Sequence, residues 1–323
     1  MRAPALVLFL VVVFGVPLVS YAGSPATRPK LWSYDWSSKA SPNLAQRQFS
    51  TKEIERFVIF LDKSMGHEDD LLGDPGGVYV CSFGFADLRH DGVLSLAVGF
   101  GVVDRPSCNT VTIIDRTPSG FELYDSGGGN GSAADIPSCF KDLGHDGRLE
   151  FVYDHGLNVF PNHCVASWAT VFAWTGRNYT NVSHQFKDFY RERLNLLNKL
   201  IPALQPARQP DGYGLRDKEC LEAEAAAIQR FLGMSADAGI DQAIRLASSS
   251  DPLARQFGTV LLIQIGTPEA RKYLEKLASD SDYGVSMYAK DGLAYKSDPS
   301  KTFGPKAFVP GGSVAAPERL ERK

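Results

Sequence analysis

The stretch Phe85-Ala-Asp-Leu-Arg-His-Asp-Gly-Val-Leu-Ser-Leu96 returns later in the chain as Phe140-Lys-Asp-Leu-Gly-His-Asp-Gly-Arg-Leu-Glu-Phe151. Seven of the twelve paired positions are identical, at an offset of 55 residues. Each copy places an Asp/His/Gly turn directly before an apolar run, which predicts a polar loop that leads into a strand. The recurrence indicates a duplicated supersecondary unit.

Short apolar segments separated by Gly, Pro and Asp surround both copies and predict strands. Each unit ends in a hairpin and amounts to roughly four strands, which is the strand content of one propeller blade. Two units cannot close a propeller, so we expect an open sheet or a sandwich that is capped by the N-terminal helix, or an association. The predicted strands are 78–83, 94–100, 111–115, 121–124, 149–153, 169–174 and 179–182.

The repeated pattern Phe-x-Asp-Leu-x-His-Asp-Gly-x-Leu, followed by an apolar strand, resembles the FG-GAP or VCBS-type repeats of integrin α-chain propellers and of many exported bacterial proteins. The resemblance covers about residues 78–183. It implies a calcium loop with side-chain oxygens at positions one, three, five and nine. Positions one, five and nine are occupied by Asp142, Asp146 and Glu150 in the second copy and by Asp87, Asp91 and Ser95 in the first.

Position three departs from the family pattern in both copies, where Arg89 and Gly144 stand. Calcium prefers six to eight oxygen ligands, so the first loop is poorly equipped and the second keeps three carboxylates that water could supplement. The alternative is a tight turn in which each Asp accepts backbone N–H groups and the glycine adopts a positive φ. His90 and His145 at position four are then turn residues rather than metal ligands.

Apolar residues at helical spacing predict one helix before the β region and several after it. Ser50 and Glu53 form a candidate capping box at the start of the first helix, about 51–65. After a helix at 186–200, the segments Leu246–Asp251 and Leu277–Asp282 repeat at a spacing of 31 residues, each before a new helix. This part resembles HEAT-type repeats, which implies a concave protein-binding surface; a compact helical bundle that packs on the β region is the alternative.

The N-terminus is typical of an exported protein. Arg2 precedes an apolar run from Ala3 to Val19, and small residues at Ser20 and Ala22 fit a cleavage site after Ala22. We therefore expect an exported chain, periplasmic or secreted, without a membrane span once the signal is cleaved. A net charge of -3 and a pI near 6.1 argue against a nucleic-acid partner.

Export makes the five cysteines candidates for disulfide bonds. Cys81 and Cys108 flank the first unit and Cys139 and Cys164 the second, so we predict one bond within each unit, although two other pairings are open. Cys220 is then left over as a buried or unpaired thiol.

Together these patterns predict an α+β protein in which an antiparallel β domain of two blade-like units precedes an all-α, HEAT-like domain. The predicted divisions are a signal peptide (1–22), an arm with a capping helix (23–77), an FG-GAP-like β domain with a C-terminal helix (78–200), a linker (201–217), a HEAT-like domain (218–295) and a disordered tail (296–323).

The function that these patterns favour is binding or scaffolding without catalysis, with a protein as the most favoured partner. The sequence contains no recognised catalytic motif and no cofactor fingerprint; calcium is the one cofactor that it suggests. The alternatives are a metal-dependent hydrolase near Asp142, Asp146 and Glu150, and a calcium-stabilised carbohydrate-binding module. In the latter, Trp168, Trp174 and Tyr179 would stack on sugar rings, unless they are core residues. Oligomeric state is not indicated.

Overall fold

The computed structural model describes residues 28–39, 42–66, 78–102, 108, 110–126, 135–156, 167–204, 217–294, 306 and 308–315. Within them the chain has an α+β fold, as predicted. The strands are β1 (Val78–Ala86), β2 (Ser95–Val102), β3 (Thr110–Thr117), β4 (Gly120–Asp125), β5 (Phe140–Lys141), β6 (Glu150–Gly156), β7 (Ser167–Trp174), β8 (Tyr179–Asn181) and β9 (Val309–Ala315). The helices are α1 (Pro42–Gln48), α2 (Thr51–Ser64), α3 (Lys187–Leu200), α4 (Asp217–Phe231), α5 (Ile240–Ala247), α6 (Pro252–Ile265), α7 (Pro268–Leu277) and α8 (Tyr283–Ala294).

The strands form two antiparallel sheets, and each sheet contains one copy of the repeat. The first sheet has the order β1-β2-β3-β4-β9 and the second the order β5-β6-β7-β8. Within each sheet, strands that follow one another in the sequence pair directly, from β1 to β4 and from β5 to β8. The duplication seen in the sequence is therefore a duplication of sheets.

Each sheet buries both of its faces. On β2, Leu96 and Val98 point into one core cluster while Ala97 between them points into another. On β7, Phe172 contributes to the cluster between the sheets and Val171 to the cluster on the opposite face. Two-sided burial explains why these strands are continuously apolar rather than alternating.

Helices cover the outer faces of the sandwich. The capping box of Ser50 and Glu53 starts α2 as predicted, and the apolar side of α2 packs on the first sheet. The preceding arm contains the short helix α1, which the sequence did not indicate. Apolar residues of α3 and α4 share a core cluster with the outer face of the second sheet. The order of layers is helix, sheet, sheet, helix.

A buried ion-pair network joins the second sheet to the helical region. Arg193 of α3 binds the carboxylate of Glu224 on α4, whose side chain is 2% exposed, and lies 3.6 Å from Asp154 on β6. Glu224 is the buried member of this network, so loss of Arg193 would leave its carboxylate uncompensated, and the contacts of Arg193 hold α3 against α4 and the second sheet.

Part of the segment 296–323, predicted to be a disordered tail, is structured: the structure describes Lys306 and residues 308–315 within it. Strand β9 pairs with β4 and extends the first sheet. Phe308 is fully buried between the sheets, and its amide donates to the carbonyl of Tyr179 on β8. The Pro and Gly content of this segment gives no periodic pattern, but backbone pairing with an existing edge strand needs none.

Several predicted features lie outside the described residues: the signal peptide, most of the 201–217 linker, and Cys164. No helix in the described part of the chain is long and apolar enough to cross a membrane.

Candidate functional site

The two Asp turns have the same hydrogen bonds. In the first copy, the carboxylate of Asp87 accepts the amides of Asp91 (3.2 Å) and Gly92 (3.0 Å). In the second copy, Asp142 accepts the amides of Asp146 and Gly147, both at 3.1 Å. Asp91 and Asp146 each accept, at 3.0 Å, the amide two residues further on. The conserved pattern of the repeat is thus a set of side-chain to backbone bonds that closes each turn.

Each of these turns contains residues whose backbone lies in the left-handed region of φ/ψ space. Gly92 and Gly147 both have a φ of +82°, and His90 and His145 have φ values of +59° and +53°. Both positive-φ histidines sit at the same place in the two copies, which assigns them a turn role. The geometry therefore matches the tight turn that the sequence offered as the alternative to an ion loop.

The carboxylates of the second turn are engaged in hydrogen bonds within the protein. Both carboxylate oxygens of Asp142 accept amides, and Glu150 accepts the amide of Leu143 at 2.9 Å. Burial raises the pKa of Glu150, which disfavours its ionised form. No group of three or more His, Cys, Asp or Glu residues within the described ranges could hold a metal ion. The calcium site therefore stays a prediction that the geometry does not support.

In the first turn a guanidinium stands where position three would carry an oxygen. Arg89 lies 3.2 Å from Asp91 and 3.9 Å from Asp115, with its guanidinium carbon 4.8 Å from the ring centre of Trp174. Because Trp174 belongs to β7, this side chain reaches from the first unit to the second. The departure from the family pattern thus supplies an internal cation and a contact between the sheets, so the residues of the first turn do not fit calcium.

Asp115 is the most perturbed carboxylate at this junction. It lies on β3 with 1% exposure, and the hydroxyl of Tyr179 from the second sheet donates to it. Ser95 on β2 lies 3.2 Å from the same hydroxyl. Burial raises the pKa of Asp115 to about 6, and hydrogen bonds from Ser95 and Tyr179 and the charge of Arg89 partly oppose that rise.

This polar junction, defined by Arg89, Ser95, Asp115 and Tyr179, is closed to solvent. Ser95, Asp115 and Tyr179 are each 1% exposed, so no substrate reaches them in this conformation. The sequence suggested Ser95 as a candidate calcium ligand and Tyr179 as an aromatic of interest, but it did not indicate the roles of Arg89 and Asp115 at this junction. An Asp inside the apolar run Thr110–Thr117 was the available indication, because an unpartnered charge is not stable in a strand buried on both faces. We interpret the junction as the polar contact that sets the relative position of the sheets.

One predicted disulfide is present and the other is not. Cys81 and Cys108 are bonded, with a Cα–Cα distance of 5.8 Å. The Cys139–Cys164 pairing was wrong, because Cys139 is a free, buried thiol whose pKa burial raises to about 12. The repeat offset of 55 residues aligns Cys139 with Gly84 rather than with Cys81, so the two units are not equivalent at this point.

The prediction that Cys220 is left without a disulfide partner is also wrong. Cys220 is disulfide-bonded and fully buried at the start of α4, rather than left over. The second disulfide therefore involves the helical region, which the internal symmetry of the β repeat could not indicate.

The aromatic residues of the second unit belong to the core. Trp168 and Tyr179 are each 1% exposed, and Trp174 packs at 5.7 Å against Tyr124 and beneath Arg89. They form no exposed row for stacking on sugar rings, so this basis for the carbohydrate-binding alternative is lost.

Among the residues that the structure describes, two surface grooves are candidate binding sites. The first, here called the helical groove, has a volume of about 910 Å³ and runs along α7. The second, the basic groove, has a volume of about 710 Å³ and lies between the N-terminal arm and α2. The helical groove is lined by Asp237, Thr267, Pro268, Glu269, Lys272, Tyr273, Glu275 and Lys276. The basic groove is lined by Arg28, Pro29, Lys30, Glu53, Arg56, Ile59, Phe60, Lys63 and Ser64.

Comparison of the chain with protein-family models, curated proteins and solved structures gives no match. The FG-GAP and HEAT resemblances therefore stay predictions.

Proposed function

We propose that this chain is an exported, non-enzymatic scaffold protein that binds a protein partner through its helical domain. The observation that carries the proposal is the helical groove, which is open to solvent and mixes both charge signs with an aromatic ring. Its carboxylates come from Asp237, Glu269 and Glu275, and its cations from Lys272 and Lys276. Lys276 lies 4.8 Å from the ring centre of Tyr273. Alternating charges around an aromatic anchor give orientation and specificity to a protein contact.

The packing order of the helices supports a HEAT-like arrangement. Helix α5 packs on α6 and α7 packs on α8, while α6 also contacts α8 and α5 contacts α7. Pairs stacked in this way present one row of helices on each side of the domain, which is how solenoids build extended binding surfaces.

The repeated Asp turns of the helical domain are tied to each other. The guanidinium of Arg255 binds both oxygens of Asp280 at 3.1 Å and also donates to the carbonyls of Ser249 and Ser250 at 3.1 Å. Asp251 and Asp282 each accept an amide at the start of the following helix. A rigid stack of this kind keeps a binding surface preformed, which lowers the entropic cost of association.

The connection between α4 and α5 also carries an exposed methionine. Met234, in the connection between α4 and α5 that also contains Asp237, is 64% exposed. Methionine is enriched at protein interfaces because its flexible thioether adapts to different partners.

The test is capture of a partner from the exported fraction of the source cells with the chain as bait. The double charge reversal Lys272→Glu/Lys276→Glu removes both cations of the helical groove, and Lys187→Glu/Lys199→Glu makes the same change in charge on α3. We expect one or a few proteins to be retained by the unaltered chain and by the α3 variant but lost from the groove variant. Equal retention by both variants, or no retained protein, contradicts the proposal.

A further inference from the structure

We propose that the basic groove binds an acidic peptide segment that carries apolar side chains. This site lies on the opposite end of the layered structure from the helical groove, against the helix that caps the first sheet. The inference does not rest on the helical groove, so either site can fail without the other.

The charge of the groove is opposite to that of the chain. Four of its lining residues are Lys or Arg and one is Glu, whereas the whole chain has a net charge of -3. The single carboxylate, Glu53, is already engaged: the amide of Ser50, then Lys30 and the Ser50 hydroxyl, lower its pKa to about 2. Its charge is therefore matched by Lys30 within the protein, and Arg28 and Arg56 are the two cations that we assign to an anionic ligand.

Two arginines are placed to receive carboxylates. Arg56 is exposed on α2 between Glu53 and Phe60, and no ion pair joins it to any residue that the structure describes. Arg28 lies on the other wall, with its guanidinium carbon 5.8 Å from the ring centre of Trp32. A guanidinium held over a ring keeps its outward N–H groups available for a planar, bidentate contact with a carboxylate.

The floor of the groove is apolar, which favours a peptide over a polysaccharide or a nucleic acid. Pro29, Ile59 and Phe60 supply carbon surface, and Phe60 is supported from below by Trp32, whose ring centre is 5.2 Å away. A sulfated polysaccharide has no apolar side chain to place on this surface, and the net charge of -3 disfavours a nucleic acid. A peptide with alternating acidic and apolar residues matches both the floor and the walls.

The walls are fixed before a ligand arrives. The buried side of α2, including Phe57 and Leu61, packs on the first sheet, and Leu31 and Trp36 of the arm are buried in the same core cluster. Within the arm, the Trp36 indole donates to the Leu31 carbonyl at 3.1 Å. The arm is also tied to the first Asp turn, because Ser38 donates to the carbonyl of Gly92 at 2.8 Å. A volume of about 710 Å³ lies within the range of pockets that enclose most of a small ligand.

The experiment measures fluorescence anisotropy of a short dye-labelled peptide of alternating Glu and Leu against the purified chain at low ionic strength. Two control peptides replace Glu by Gln or Leu by Gly. The groove variant is Arg28→Gln/Arg56→Gln, and the matched control is Arg47→Gln/Lys52→Gln, which removes two exposed cations from α1 and α2 outside the groove. Heparin serves as a competing polyanion.

We expect saturable binding of the Glu/Leu peptide that weakens about tenfold or more in the groove variant, since each charge-assisted contact is worth about one decade of affinity. The α1/α2 control variant keeps the affinity, and both control peptides bind more weakly. Absence of saturable binding, or equal loss in the two variants, overturns the proposal. It is also overturned if heparin binds through the two arginines while the peptide does not, because the ligand is then a polysaccharide.

Discussion

The hydroxyl of Tyr179 lies 2.9 Å from each carboxylate oxygen of Asp115, and this contact joins the two sheets. Asp115 belongs to the first unit and Tyr179 to the second, 64 residues apart in sequence. A buried carboxylate held by a neutral hydroxyl, with a guanidinium at 3.9 Å, is only partly compensated for its lost hydration.

The pKa of Asp115 predicts a pH dependence of stability. Its value of about 6 in the folded state exceeds about 3.9 in the unfolded chain, so the folded state binds the proton more tightly between these values. The free energy of unfolding of the unaltered chain should therefore rise, relative to Asp115→Asn, as the pH falls from about 7 to about 4. The expected change is about 2–3 kcal/mol, measured by denaturant unfolding.

The matched control is Asp291→Asn, which makes the same change in charge at an exposed position of α8. If the Asp115→Asn curve is parallel to that of the unaltered chain, Asp115 does not titrate in this range.

Gly99→Ala should destabilise the protein through the disulfide. A Cβ at position 99 would lie 2.6 Å from the sulfur of Cys108 and 2.9 Å from its Cβ. Overpacking of this kind costs about 1–3 kcal/mol, seen as a lower melting temperature. In a Cys81→Ala/Cys108→Ala background the sulfur is gone, so the cost should shrink. If Gly99→Ala lowers the melting temperature equally in that background, its effect does not come from the contact with the Cys108 sulfur.

The thiol count of a Cys139→Ala variant separates the observed cysteine chemistry from the symmetric pairing, because both leave one free thiol in the unaltered chain. We expect one free thiol per chain in denaturant without reductant, and none that reacts in the native state, because burial raises the pKa of the Cys139 thiol to about 12. Cys139→Ala should remove the denatured-state thiol. A thiol that persists in this variant contradicts the bonded state of Cys220.

Phe308→Ala tests the C-terminal segment. A fully buried phenylalanine contributes about 3–5 kcal/mol relative to alanine, so this change should lower the free energy of unfolding by that amount. Lys306→Ala removes an exposed side chain from the same segment and should have little effect. If both substitutions have equally small effects on the free energy of unfolding, the result would support a disordered segment.

Calcium tests the second Asp turn. Asp142→Ala removes the acceptor of two amides and should cost about 1 kcal/mol, equally in calcium, magnesium and chelator. Asp146→Ala, which removes one such bond, should cost less. A calcium-specific rise in melting temperature that Asp142→Ala/Asp146→Ala abolishes would instead show an ion site.

Local sequence patterns predicted much of the fold, because the interactions that form caps, turns and strands involve residues close together in the sequence. The capping box at Ser50 and Glu53, the turns at Gly92 and Gly147, and the seven predicted strands depend on neighbours in sequence. The candidate site was harder to predict from the sequence. The same Asp positions suit an ion loop or a closed turn, and only the hydrogen bonds of Asp87 and Asp142 distinguish the two.

By itself the sequence determined that two similar β units precede a helical region, because repeats and hydrophobic periodicity are properties of the chain alone. Tertiary structure decided how the units meet: Arg89 over Trp174, Tyr179 on Asp115, Phe308 between the sheets, and the choice of cysteine partners. These contacts join residues far apart in sequence, so their energies depend on burial and on partners that no local pattern contains.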